Sequence, residues 1–261
     1  MVILRALILP TKRMGSNPDA ESFWDHLEEL RGRFIRIVVA VVGLAIVAFV
    51  LKEELFSVAF APCRDDFITY RLFGTGEFHI NLINVAITEQ FIVHVKTSVY
   101  AGLMVASPYI LYQLFCFVSP ALYERELHYA TRFVCLALVM FLIGTAVNYF
   151  AVFPFTLRFL ATYQVSESVV CMLSVSSYMD TLLSMNLIMG LIFELPVACW
   201  LLARLGLLRY ERMKRYRRHA VVIVLLLSAV VTPTTDAFTL FVVAIPIWLL
   251  FEVSMLIVKM V

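Results

Sequence analysis

Phe34 to Leu51 reads FIRIVVAVVGLAIVAFVL, eighteen residues with one charge, Arg36, close to the start. A bilayer core of about 30 Å takes about 20 mostly apolar residues to cross as a helix. This stretch is therefore predicted to be a membrane-spanning helix. The pattern recurs along the chain. A second run covers 91–118 with Pro108 inside it, and a third covers 133–155, closing near Pro154. A fourth covers 178–203 around Pro196, a fifth 220–231 up to Thr232-Pro233, and a sixth 237–258 around Pro246. The expected fold is all-α, a polytopic membrane protein of six helices.

Composition agrees. Residues of the set AVILMFWYC make up 62% of the 261, and only 15% are charged. Average soluble chains are about 45–50% apolar and about 25% charged, so a cytosolic enzyme or a disordered chain is excluded. A net charge of +2, with basic residues set between apolar runs, also excludes a nucleic-acid binder.

The fifth run is short. Twelve residues at about 1.5 Å each reach about 18 Å. A re-entrant hairpin and a short crossing hairpin both fit. The cluster from Thr232 to Asp236 is turn chemistry and favours the crossing form.

Lys and Arg set the orientation. Arg5, Lys12, Arg13, Arg31 and Arg33 precede the first span, and Arg125 and Arg132 separate the second and third. Arg204, Arg209, Arg212, Lys214, Arg215, Arg217 and Arg218 separate the fourth and fifth, and Lys259 ends the sixth. The other side has Lys52, Arg64, Arg71 and Arg158. Both termini are expected in the cytoplasm, as an even span count requires. Residues 1–22 are expected to form a flexible cytoplasmic lead-in without a signal peptide, because Arg5 and Pro10 interrupt Val2–Leu9. Residues 23–258 are expected to form one domain.

Enzyme chemistry is not marked. There is no G-x-S-x-G, H-E-x-x-H or phosphate-binding glycine loop, and His26, His79, His94, His128 and His219 are scattered. No cofactor and no metal set is expected. Cys63 and Cys171 fall on the non-cytoplasmic side and could pair if it is oxidising.

The ionisable residues near the membrane are more informative. In Phe23–Arg33, Asp25, Glu28, Glu29 and Arg33 are helix-spaced beside an apolar face of Phe23, Leu27, Leu30 and Phe34. This is either a solvated interfacial helix or a docking surface for a cationic ligand. In the loop Pro120–Glu126, Glu124 and Glu126 either favour a helix N-terminus or accept a guanidinium bidentately, as Glu29 could. Glu194 lies inside the fourth span, where a charge costs about 2.5–3.5 kcal/mol on insertion scales. It is either functional or capping the backbone freed by Pro196. Lys96 either snorkels outward or pairs with Glu89, and Asp236 is placed to cap the sixth helix. Glu252 is placed near the interface.

Taken in order, these residues resemble a known family. Phe23, His26, Leu27, Glu29, Leu30, Arg31 and Arg33 look like the amino-terminal signature of TatC, the core subunit of the twin-arginine protein translocase. Ala61-Pro62, Pro108-Tyr109-Ile110-Leu111-Tyr112-Gln113, Phe117, Pro120-Ala121-Leu122-Tyr123, Phe193-Glu194-Leu195-Pro196, Thr232-Pro233 with Asp236, and Ile245-Pro246 continue the match. The resemblance implies a curved, glove-like six-helix fold with short fifth and sixth spans in a bacterial inner membrane. It implies binding of twin-arginine signal peptides of folded cargo at the cytoplasmic face, and self-association in a receptor complex. It also implies partnership with small single-span subunits of the TatA and TatB type, driven by the proton-motive force. Carried over by motif, Glu29 and Glu126 contact the arginine pair, with Glu124 the competing choice and Arg31 and Phe117 beside them. Glu194 is then a polar residue of the concave face, Thr232 and Asp236 dock the partner, and Pro62 and Pro108 are structural. The chain departs from the family pattern at Leu127, where a basic residue is usual, at the longer turn Thr232–Asp236, and at Leu240, where a polar residue is common. The alternative from another class is a solute or proton-coupled carrier with Glu194 as its ionisable site.

Overall fold

The computed structural model describes residues 18–64, 66–72, 82–118, 130–163, 172–204, 206–232 and 236–260. Helix α1 is Pro18–Val50. It yields at Leu51 to α2, Lys52–Ala59, whose first turn carries Glu53 and Glu54 where the helix dipole favours acid. A 3₁₀ turn, Ala61–Cys63, and helix α3, Ile68–Leu72, follow. Strand β1, Leu82–Ile83, leads to α4, Glu89–Val118. Helix α5, Ala130–Val147, passes through a π turn, Asn148–Val152, into α6, Phe153–Thr162. Strand β2, Leu173–Ser174, precedes α7, Val175–Ile192, and α8, Leu195–Arg204. Then come α9, Tyr210–Arg215, α10, Arg217–Val231, and α11, Ala237–Met260.

Six crossings result. Stretches 27–50, 134–162, 175–204 and 237–260 are long and apolar enough to span on their own terms. The other two are residues 91–118 within α4, with Lys96 near their outer end, and α10. Helix α10 extends back to Arg217 but has only 15 residues, about 22 Å. It packs along α11 and touches α7, as a short crossing hairpin requires. Helix α11 has 24 residues, so the sixth helix is longer than the family resemblance implies.

Two prolines lie where a helix departs from regular α geometry. A proline at position i frees the carbonyl at i−4. Pro154 frees that of Phe150, the π turn absorbs the steric conflict, and the Thr69 hydroxyl donates to the Phe150 carbonyl. Pro196 follows the break at Phe193-Glu194 between α7 and α8.

Lipid tails are as apolar as leucine, so these helices are held by close packing and hydrogen bonds. The core lies between the α5–α6 bend, α7, α10 and α11, with Phe153, Met179, Met185, Met189, Val243 and Ile247 fully buried. Asn148 Nδ2 donates to Asn186 Oδ1 at 3.3 Å inside it. Helix α1 stands apart and has α4 as its main neighbour. The two backbones touch at Gly102, where an added Cβ would lie 2.6 Å from the Ala45 nitrogen.

The membrane face opposite the α1 amino-terminal end is tied by hydrogen bonds. Strands β1 and β2 pair in parallel, Leu82 with Leu173 and Ile83 with Ser174. Two-residue strands leave no alternation in the sequence, and none was expected. Glu89 accepts from the amides of Val85 at 2.7 Å, Ala86 at 3.1 Å and Ser176 at 2.7 Å. The expected Lys96–Glu89 pair does not form, because Glu89 is occupied by backbone donors and Asp180 of α7 lies 2.8 Å from Lys96 Nζ. Cys63 is a buried free thiol. Cys171, its expected partner, lies outside the described residues, as does the lead-in through residue 17.

Candidate functional site

Helix α1 brings Glu29 and Arg33 one turn apart on a single face. Arg33 donates to Glu29 Oε1 through Nη2 at 2.5 Å and Nε at 3.1 Å. Its third donor, Nη1, reaches Gln113 Oε1 of α4 at 3.2 Å, and Gln113 Nε2 donates to the Tyr109 hydroxyl at 2.8 Å. The Cys116 thiol lies within hydrogen-bonding reach of Arg33 and Tyr112. Glu29 thus sits at the end of a relay that fixes its position from α4. Its side chain is 38% exposed and that of Arg33 19%.

Gln113 and Tyr109 are the site residues that sequence reasoning missed as participants. Their signal was present, two polar groups four apart in an apolar helix, but nothing local points them toward Arg33. Arg31 is exposed, and residues two apart on a helix do not share a face. Arg31 is therefore not brought to Glu29. Phe117 is half-buried at the end of α4. Glu124 and Glu126, the other expected carboxylates, lie outside the described residues.

Glu194 sits in the break between α7 and α8. Its Oε1 is buried and has no hydrogen-bond partner among the described residues, so the capping of backbone freed by Pro196 is not seen. On α7, Asp180, Ser184, Leu187 and Leu191 recur at helical spacing toward this break. The first three line a groove of about 440 Å³ against Lys96, Val99 and Leu103 of α4.

At the α10–α11 turn, Asp236 Oδ2 accepts from the Thr239 amide at 2.7 Å, the expected cap. Thr232 is buried and donates its hydroxyl to the Ser228 carbonyl at 3.0 Å. Pro62 is buried, and its carbonyl accepts from the Tyr70 hydroxyl at 3.0 Å. Pro108 lies within a continuous α4. Glu252 pairs with Arg217 at 2.5 Å. Among the described residues no three His, Cys, Asp or Glu side chains gather as a metal set.

The profile of the family described as Sec-independent protein translocase protein (TatC) matches residues 25–246. The chain is 32% identical to the Sec-independent protein translocase protein TatC of Blattabacterium sp. subsp. Periplaneta americana, over 89% of this chain and 92% of that protein. It is 34% identical to the TatC protein of Helicobacter pylori strain 26695, over 92% and 88% respectively. A crystal structure of the twin arginine translocase receptor TatC superposes with a TM-score of 0.75 at 29% identity, covering 90% of this chain and 98% of that one. These likenesses favour the translocase over the solute carrier.

Proposed function

The chain belongs to the TatC family of Sec-independent protein translocase proteins, and from that premise we propose that it receives twin-arginine signal peptides through Glu29 and Glu126. The supporting observation is the Glu29–Arg33–Gln113–Tyr109 relay. An arriving arginine meets a carboxylate already oriented from two helices, so little ordering remains to be done on binding. Carboxylates select planar, bidentate guanidinium over the point charge of lysine. Glu126 is the second, with Glu124 as its competitor, Phe117 offering apolar surface and Arg31 at the rim. The apolar part of the peptide then lies along the helices, gaining roughly 25 cal/mol per Å² of apolar area removed from water.

The protein is a multi-pass membrane protein and a translocase component that works with other subunits. We place it in a bacterial inner membrane with both termini cytoplasmic, which the Lys and Arg distribution supports. Small single-span partners are assigned to the α10–α11 hairpin at Thr232 and Asp236, and the unpartnered carboxyl oxygen of Glu194 to the pathway they complete. The chain itself carries no catalytic step in this scheme.

The test is capture of a signal peptide bearing Arg-Arg against its Lys-Lys version by the membrane-embedded chain. Arg-Arg capture should exceed Lys-Lys capture by tenfold or more, and the excess should vanish in Glu29→Ala with Glu126→Ala. Equal capture of both peptides by the parent, or unchanged selectivity in the double variant, overturns the assignment.

A further inference from the structure

Between Arg204 and Arg218 the chain carries seven Arg or Lys residues and a single carboxylate, Glu211. This segment joins α8, α9 and α10. It lies on the same membrane face as the last turn of α11, which carries Lys259. Among the described residues, Arg209, Arg212, Lys214, Arg215 and Arg218 have no ion-pair partner. Such a concentration of like charge calls for an anion.

Local structure fixes where that anion would sit. Helix α8 is followed by Gly206 at φ +71°, a left-handed conformation open to glycine. The Gly206 amide donates to the Ala203 carbonyl at 2.9 Å and that of Leu207 to Leu202 at 3.0 Å, the Schellman pattern. The reversal sends the chain into α9, whose Met213 is buried against Met255 and Val258 of α11. The basic turn is thereby pinned to the end of α11. Between them opens a pocket of about 490 Å³, lined by Leu208, Arg209, Tyr210, Val258 and Lys259 and by one carboxylate, Glu211.

Two features select the kind of anion. Aromatic rings stand at this level with cations over them: Lys259 Nζ is 5.8 Å from the Tyr210 centroid and Arg204 is 5.6 Å from that of Trp200. Tyr, Trp and basic side chains gathered at helix ends mark the headgroup layer of a bilayer. Leu207 and Met260, next in the chain to Gly206 and Lys259, are 61% and 83% exposed. A free anion has no use for these apolar flanks, whereas a lipid with a charged head and acyl chains meets both.

We propose that the pocket between the α8–α9 turn and the end of α11 binds the phosphate headgroup of an anionic phospholipid. Arg209 supplies planar, paired donors to phosphate oxygens and Lys259 a point charge opposite. Tyr210 holds Lys259 in place, and the acyl chains leave past Leu207 and Met260.

The test uses the full chain purified in mild detergent and exposed to equimolar phosphatidylglycerol and phosphatidylcholine. Retained lipid is counted by native mass spectrometry. Phosphatidylglycerol should be retained at least fivefold over phosphatidylcholine. That preference should fall below twofold in Arg209→Gln with Lys259→Gln, and persist in Arg64→Gln with Arg71→Gln on the opposite face. If the double variant does not fold, the exposed single change Arg209→Gln is read in the same way and should at least halve the preference. Parent and Arg209 variants with the same preference overturn the site. So does displacement of phosphatidylglycerol by inorganic phosphate at matched concentration, which would mean the pocket reads the phosphate alone.

Discussion

The two membrane faces of this protein use polar groups in opposite ways. On the face opposite the α1 amino-terminal end, polar side chains are turned inward onto backbone. Glu89 takes three amides, while Tyr178, Tyr149 and Tyr70 donate to the carbonyls of Ala59, Val58 and Pro62. On the basic face, one relay orients Glu29 and five cations stay without a described counter-charge. The difference separates a fastening from a receiving surface. Hydrogen bonds to backbone fix loops but offer nothing to a ligand, while charges left outward lend little to the fold and are available to one.

The largest expected effect that tests this contrast is on the basic face. Glu29→Ala removes a charge-assisted partner of about 1.5–3 kcal/mol. Twin-arginine peptide affinity should fall about 10- to 100-fold, with the melting temperature of the purified chain almost unchanged. A large melting shift with intact binding would make Glu29 a fastening like those opposite. Gln113→Leu should follow in the same direction by about fivefold, less than Glu29→Ala, since the charge-assisted bond it removes from Arg33 acts on Glu29 only through Arg33.

On the opposite face the order of effects reverses. Tyr178→Phe leaves the Ala59 carbonyl without its buried donor and should cost about 1–2 kcal/mol of stability, read by thermal unfolding in detergent. Peptide affinity should not change. Smaller still is Lys96 with Asp180, whose side chains are both nearly half exposed. A double-mutant cycle should return about 0.2–1 kcal/mol. A coupling well above that range would show that the groove between α4 and α7 excludes water more than its exposure indicates.

What was legible in the sequence followed from local rules. Apolar run length gave the six crossings, and the cap at Asp236 followed from residue type next to a helix start. The Glu29–Arg33 pair is an i, i+4 spacing. What was not legible depends on residues far apart in the chain. Lys96 lies two helical turns from Glu89, yet its partner is 84 residues away because α4 and α7 are neighbours. Gln113 joins Arg33 across 80 residues, and Asn148 meets Asn186 across 38. No periodicity announces such contacts. Gly102 is equally silent, since a glycine in an apolar run tells nothing of the backbone lying against it. The candidate site was therefore half readable, its carboxylate from spacing and its support from neither spacing nor composition.

The last effect concerns Glu89, and it separates the two faces by titration. The amides of Ser176, Ala86 and Val85 hold its carboxyl below the usual carboxylate range. A carboxylate whose folded-state pKa is depressed contributes stability above its unfolded pKa and loses it as pH falls through the folded value. The fastening should therefore be intact from neutral pH down to the ordinary carboxylate range and loosen only in stronger acid. Glu89→Gln copies the protonated state at any pH, keeping one acceptor oxygen where three amides need two. Hydrogen exchange at the Ser176 amide should be faster in Glu89→Gln at neutral pH, after correction for intrinsic rates. The parent should approach that rate only in acid, while peptide-site amides around Gln113 stay protected in both. If the variant protects Ser176 as well as the parent does, the backbone alone holds β2 against α4, and this face is fastened without its carboxylate.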